Sequence, residues 1–255
     1  MKVKRITRWD ATRLLMAPLN WAFSSSRCIV CAKRSVWGRL CPECQRYLTR
    51  AAFDHTGHRC RVCGKRLHTG SGGSTCESCQ KERILTRADR VFHTLEYQGP
   101  LKTLLLDWKE RDERSLSLPL AHVAAASLEE HFEGEYSLVP VPPRPSKLFT
   151  RGWDQVEELS CILWRKYGFA VQHLLCRTSE TEQKSLRKEG RLETIGKSYV
   201  PSRLLTRLEK QGKVPHHVVL MDDIYTTGAT AQSCAAVLKD AGVSVVDVYT
   251  LFAVP

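Results

Sequence analysis

The stretch Val218-Val219-Leu220-Met221-Asp222-Asp223-Ile224-Tyr225-Thr226-Thr227-Gly228-Ala229-Thr230 places its residue types in a chemically telling order. Four apolar residues read as a buried strand. They end in two adjacent carboxylates, Asp222 and Asp223, which the pattern puts at the carboxyl end of that strand, where ligands sit in open α/β sheets. Ionised carboxylates only accept hydrogen bonds, so neighbouring hydroxyl groups suit them. Thr226, Thr227 and Thr230 then offer hydroxyl donors, and Gly228 lets the backbone come close to an anion. A helix starting near Thr230 would turn its free N–H groups and positive dipole end toward the same point. Hydroxyls on one side and an anion on the other describe a sugar phosphate. An ordinary strand-to-helix turn also uses Asp, Thr and Gly, so the signal lies in the whole ordered string.

That string resembles the phosphoribosyl-pyrophosphate (PRPP) loop of type I phosphoribosyltransferases. The resemblance implies that Asp222 and Asp223 hold the ribose 2′ and 3′ hydroxyls. It also implies that Thr226, Thr227, Gly228, Ala229 and Thr230 hold the 5′-phosphate, with Mg²⁺ arriving on PRPP.

Eight of the eleven cysteines form four Cys-x-x-Cys pairs: Cys28/Cys31, Cys41/Cys44, Cys60/Cys63 and Cys76/Cys79. Two thiolates so spaced grip one side of a tetrahedral Zn²⁺, and a second pair completes the site. Two sequential Cys₄ sites are the simplest arrangement; spacing alone also permits an interleaved pairing. Four thiolates close a site, which favours structural over catalytic zinc. Disulfides and a redox-active pair are the competing readings. No apolar leader follows the basic start, because Arg8, Asp10 and Arg13 interrupt it, so we expect a reducing, cytoplasmic setting in which disulfides do not persist. The other three cysteines, Cys161, Cys176 and Cys234, read as buried core thiols.

Charge divides the chain. Residues 1–90 carry 19 Lys and Arg against 6 Asp and Glu, a balance of +13, so the formal +12 of all 255 residues lies in the first third. Two Zn(Cys)₄ centres would lower the basic third to about +9. Arg27, Lys33, Arg34, Arg39, Arg46, Arg50, Arg59, Arg61, Lys65 and Arg66 crowd the cysteine pairs, with Trp37, Tyr47 and Phe53 among them. Cations interleaved with aromatics suit a phosphate backbone with stacked bases, hence contact with a nucleic acid. A solvated basic face whose aromatics fill small ribbon cores fits the same pattern. No apolar run approaches the ~20 residues that span a bilayer.

The elements that must position these groups follow from periodicity. Residues 6–23 read as a short amphipathic helix, with a peripheral membrane role as the lesser alternative. The Gly70–Ser74 run reads as a flexible tip. Strands are predicted at Arg90–Tyr97, Ser137–Val141, Val218–Met221 and Val243–Ala253. Helices are predicted at Pro100–Lys109, Leu118–His131, Val156–Tyr167 and Ala231–Ala241. This alternation predicts an α/β fold, a mainly parallel sheet with helices on both faces. The division expected is a helix over 1–27, a double Cys₄ module over 28–85 and the sheet domain over 86–255. Two further segments look chemical. From Val139 to Gly152 a proline-stiffened stretch presents Arg144, Lys147 and Arg151, cations suited to a pyrophosphate; an exposed linker is the alternative. From Gln183 to Arg191 a polar stretch reads either as a mobile lid or as a surface loop.

Taken in order, the cysteine pairs, Tyr97-Gln98-Gly99-Pro100-Leu101, Trp108-Lys109, Val139-Pro140-Val141-Pro142, Arg151-Gly152-Trp153-Asp154-Gln155, Gln183 with Arg191, and the Asp222-Asp223 loop resemble the ComF/GntX family of bacterial competence proteins over nearly the whole chain. Two positions depart from it: Asp154 and Thr194 stand where the family usually has Asn, and no role is carried onto either. The resemblance implies a cytosolic protein that handles single-stranded DNA during natural transformation, with a competence helicase as a partner. It implies a phosphoribosyltransferase-type fold that binds PRPP with Mg²⁺ and is preceded by a double zinc ribbon. It leaves the acceptor open. The alternative is a catalytically silent PRPP or nucleotide sensor whose zinc module docks protein partners.

Overall fold

The computed structural model describes residues 27–35, 40–53, 58–67, 74–81, 85–178 and 198–254. The readings made for residues 6–23, Trp37, Arg39, Gly70–Gly73, Gln183–Arg191 and Thr194 lie outside them.

The organising element is a four-stranded, all-parallel sheet. Its strands are β1 (Arg90–Glu96), β2 (Ser137–Pro140), β5 (His217–Tyr225) and β6 (Val245–Ala253), in the order β1-β6-β5-β2. A separate antiparallel ribbon pairs β3 (Leu175–Arg177) with β4 (Tyr199–Pro201). The central strands read as near-continuous apolar runs because both their faces are covered. Leu138, Val219, Met221, Tyr249 and Leu251 point into one apolar cluster, and Val139, Val218, Leu220, Val246 and Val248 into the other.

Helices fill both sides. The first cluster receives α3 (Gly99–Lys109), α4 (Ser117–His131) and α6 (Gln155–Ile162); the second receives α7 (Arg203–Lys210) and α8 (Ala229–Asp240). Helix α3 buries Leu101, Leu104, Leu105 and Trp108, the i, i+3, i+4, i+7 stripe of an amphipathic helix. Trp108 Nε1 also donates to Ser117 Oγ at 2.8 Å. Helix α6 passes into a π-helical turn over Leu163–Tyr167, which ends at the left-handed Gly168.

The cysteine knuckles flank the edge strand β1. In the first, Cys28, Cys41 and the buried Leu48 and Ala52 of α1 (Pro42–Ala52) join the cluster of α3 and α4. In the second, which ends in α2 (Glu77–Lys81), Cys60 and Cys63 join the cluster of α8 and the ribbon. Arg66 Nε lies 2.6 Å from Glu96 Oε1, a further tie to β1. Among the described residues no helix is long and apolar enough to cross a membrane.

The parallel α/β sheet with helices on both faces is as the sequence predicted, and the eight helix and strand segments read from periodicity are all present. The differences are local. The proline-stiffened stretch after β2 contains a helix, α5 (Pro145–Arg151), because Pro145 takes the first helical position, where its missing N–H costs nothing. Strand β5 runs on through both aspartates to Tyr225. Of the three isolated cysteines expected in the core, Cys234 is buried, Cys161 is half-buried and Cys176 is exposed. In the short strand β3 the alternation turns Leu175 inward and Cys176 out.

Gly64 sits against β1 at φ +71°, and a Cβ there would press on the Val91 carbonyl oxygen; Gly212, at φ +63°, has open space around the same position. Gly212→Ala should therefore lose only the ~1–2 kcal/mol of left-handed strain. Gly64→Ala should lose clearly more in urea unfolding, since backbone must also move.

Candidate functional site

The site forms where the β2–β5 ladder stops. That ladder ends at Pro140↔Met221, whereas β5 stays paired with β6 through Tyr225↔Ala253. Asp222 and Asp223 therefore lie beyond the end of β2 and face an opening on that side. The chain leaving β2 enters α6 in one cluster and the chain leaving β5 enters α8 in the other, so the opening is a topological switch point. A cavity of about 620 Å³ fills it.

Both carboxylates line the cavity. Asp223, which is buried, accepts from Gln155 Nε2 at the start of α6, and Lys109 Nζ at the end of α3 lies 2.7 Å from its Oδ2. Asp222 is half-buried, and its Oδ1 accepts from the Asp223 amide at 2.8 Å. Burial, and then the adjacent Asp223 carboxylate, push Asp222 well above the usual carboxylate range. At Lys109 burial works against the charge, but the attraction of Asp223 and then Asp222 outweighs it and raises the ammonium above its ordinary value. Lys109 thus stays charged while Asp222 resists ionisation.

The turn after β5 brings the remaining predicted residues close. Thr226 and Thr230 line the cavity. Gly228, at φ +89°, caps α8 and borders a second pocket of about 30 Å³ behind Asp222. Thr227 is exposed, and its Oγ1 accepts from the Ala229 amide at 3.4 Å. Neither Thr227 nor Ala229 lines either cavity. Arg144 and Arg151 also line the cavity. Arg151 is already engaged: Nη1 donates to the Lys109 carbonyl oxygen, and Nη2 lies 3.0 Å from Glu110 Oε2. Lys147 lies in α5 between the two arginines, and nothing is described of its side chain.

Four wall residues have no role read from the sequence: Arg177 and Tyr199, which are not singled out there, and Lys109 and Gln155, which stand only within the motifs of the family resemblance. Arg177 Nη1 donates to Tyr199 Oη at 2.8 Å, with the guanidinium 5.1 Å from the ring centre. Burial, with Cys234 and Asp222 nearby, pushes Tyr199 up to about 12, so it stays a neutral phenol. Asp154 acts locally. Its carboxylate caps α6 by accepting from the Val156 and Glu157 amides at 2.9 and 3.2 Å. One carboxylate oxygen that receives two amides explains how Asp serves there.

The cysteines fall into two sequential groups, Cys28, Cys31, Cys41, Cys44 and Cys60, Cys63, Cys76, Cys79, with each set of sulfurs within 4.8 Å of one another. Cys31 Sγ–Cys41 Sγ and Cys63 Sγ–Cys76 Sγ are both 3.6 Å. Tetrahedral zinc with ~2.3 Å bonds sets sulfurs about 3.8 Å apart, so both clusters can hold zinc. Burial opposes ionisation of Cys28 and Cys60. Hydrogen bonds from the backbone to their sulfurs overcome it and lower them to about 6 and about 7. On the outer face of α1, Arg46, Tyr47 and Arg50 are exposed, with Phe53 just after. Lys33 and Arg66 are instead paired with Glu43 and Glu96.

A parallel four-stranded α/β sheet carrying two four-cysteine clusters is the class of protein these features define. No family model matches the chain. It is 27% identical over 217 residues to the competence protein ComFC of Streptococcus pneumoniae, covering 83% of this chain and 86% of that one. It is 24% identical over 211 residues to the competence protein ComFC of Bacillus subtilis, covering 80% and 79%. It is also 24% identical over 239 residues to competence protein F of Haemophilus influenzae, covering 90% and 97%. These matches, each spanning most of both chains, support the ComF family for this protein.

Because Asp222 binds a proton more readily folded than unfolded, its ionisation lowers stability as pH rises through the unfolded value, about 3.9. Asp222→Asn should melt higher than the parent at neutral pH, and the gain should vanish below about pH 4. Lys109→Gln should lose about 1–3 kcal/mol, because Asp223 is left buried without its counter-ion. Thermal melts across pH and urea titrations check both.

Proposed function

We propose that this is a competence-type protein whose sheet domain binds PRPP with Mg²⁺ and whose basic, zinc-stapled module contacts single-stranded DNA during uptake for natural transformation. The observation that carries the first part is the pairing of Asp222 and Asp223, beyond the end of β2, with a cavity that Arg144 and Arg151 also line. Asp222 accepts the ribose hydroxyls. Asp223 can add to that grip, since a carboxylate has about four acceptor sites, and Lys109 and Gln155 engage one of its two oxygens. The amides and hydroxyls of Thr226–Thr230 receive the 5′-phosphate at the start of α8. Arg144, Lys147 and Arg151 receive the pyrophosphate.

Displacement at C1 breaks the bond to pyrophosphate through an oxocarbenium-like state, so the protein's contribution is positioning and charge stabilisation. Arg151 must exchange Glu110 for the ligand, which keeps that cation oriented beforehand. Zinc in the two clusters supplies cross-links that fix the knuckles. The exposed Arg46, Tyr47, Arg50 and Phe53 on and after α1 supply phosphate contacts and stacking. The relatives' names as competence proteins, and the charge balance of the first third, support the DNA role.

Calorimetry with PRPP and Mg²⁺ should give saturable binding that falls at least about tenfold in Asp222→Ala, a loss of ~1.4 kcal/mol or more. Pyrophosphate release with a panel of bases then decides between turnover and sensing. No binding at all would exclude the phosphoribosyl reading. For the module, affinity for a single-stranded oligonucleotide should fall steeply with salt. Arg46→Ala with Arg50→Ala should flatten the log–log slope by about 1.4, near 0.7 per lost phosphate contact. An unchanged slope would remove those residues from the interface.

A further inference from the structure

The two cysteine clusters differ in what lies behind them. The second is joined to the turn at the cavity by a continuous chain of contacts. His93, in edge strand β1, is buried, with Nε2 on the Cys63 carbonyl oxygen and Nδ1 2.7 Å from Thr250 Oγ1 of β6. That carbonyl can only accept, so Nε2 carries the proton and the ring orientation is fixed from the knuckle side. The Tyr225 ring packs against His93, with centres 4.7 Å apart. The Tyr225 hydroxyl in turn lies directly beneath Gly228, where a Cβ would collide with it, and Leu85, which follows the second knuckle, comes within 3.3 Å of the same point. Gly228 holds φ +89° and begins α8. The knuckle backbone, His93, Tyr225 and Gly228 are thus stacked in series, and the last is the pivot of the candidate phosphate turn. The first cluster packs elsewhere: Cys28 and Cys41 share the apolar cluster of α3 and α4.

We propose that the second cysteine cluster, and not the first, sets the conformation of the Thr226–Thr230 turn through the positioning residues His93 and Tyr225, so that metal held there and a phosphoribosyl ligand strengthen each other's binding. The inference rests on the phosphate-turn reading given above. The physical reason is that interiors are close-packed and transmit displacement. If the knuckle loosens, the Cys63 carbonyl no longer orients His93, Tyr225 loses the surface it packs on, and Gly228 loses the support that selects its left-handed conformation. Linkage makes the effect reciprocal: whatever factor metal contributes to ligand affinity, ligand contributes to metal affinity.

The test uses the intact wild-type protein loaded with zinc, challenged by a zinc-selective chelator that leaves Mg²⁺ bound, with and without saturating PRPP and Mg²⁺. Release of one of the two zinc ions should slow about fivefold or more in the presence of PRPP, while the other is unchanged. His93→Asn, which alters no cysteine, should retain two zinc ions per chain, bind PRPP more weakly, and lose the protection. Equal slowing of both ions would overturn the inference, since it would report general stabilisation. So would unaltered release in a protein that calorimetry shows to bind PRPP, or full protection retained in His93→Asn. Failure of the wild-type protein to bind PRPP would instead overturn the phosphate-turn reading, and this inference with it.

Discussion

Two adjacent carboxylates at the end of a buried strand repel each other and resist desolvation, and the fold around them is arranged to keep them there. One answer is a hydrogen bond: Asp222 Oδ1 accepts from the Asp223 amide at 2.8 Å. The other is electrostatic: Lys109 arrives from the end of α3 and Gln155 from the start of α6, both on Asp223. The lengths of those two helices therefore matter to the site. Trp108, the residue before Lys109, is fully buried and bonded to Ser117, which holds the end of α3 where its lysine reaches the carboxylate. Asp154 caps α6 and so fixes the position of Gln155. Asp222 has no salt bridge among the described residues, feels Lys109 only as a weaker opposing influence, and remains costly to ionise, which is the behaviour of a group kept for a ligand.

The same economy runs through the cation wall. Arg151 is held by Glu110 and the Lys109 carbonyl, so one short stretch at the end of α3 both supplies the Lys109 cation and orients Arg151. The cysteine knuckles serve the architecture differently. Both pack against β1, the longer of the sheet's two edge strands, and Gly64 of the second comes close to the Val91 carbonyl oxygen there. A chain whose small knuckles have little core of their own gains stability by merging them with the sheet's two clusters.

Much of this was legible in the sequence where the signal is local. The Asp222-Asp223 turn, the cysteine pairs, and the alternation of strand and helix are written in contiguous residues, while the sequential grouping of the pairs was one of two arrangements the spacing allowed. What was not legible depends on distance along the chain. Lys109 lies at the end of a helix whose obvious pattern is apolar, and nothing near it points to Asp223. Arg177 and Tyr199 meet only because three-residue strands on either side of a long polar segment pair with each other. Helix α5 was hidden by four prolines between Pro140 and Pro145, which read as a rigid loop until the last is recognised as a helix start. Helix α7 carried a usable signal, Ser202 as cap ahead of Leu204, Leu205 and Leu208, that periodicity alone did not isolate.

The central claim is that the opening beyond β2 cups an activated pentose phosphate, and the most direct measurement is a crystal structure of the protein soaked with PRPP and Mg²⁺. The account predicts density with the ribose hydroxyls within hydrogen-bond distance of Asp222, the 5′-phosphate on the Thr226–Thr230 amides, and the pyrophosphate facing Arg144 and Arg151. Density elsewhere, or a ligand in the cavity that leaves Asp222 and the turn untouched, would contradict it.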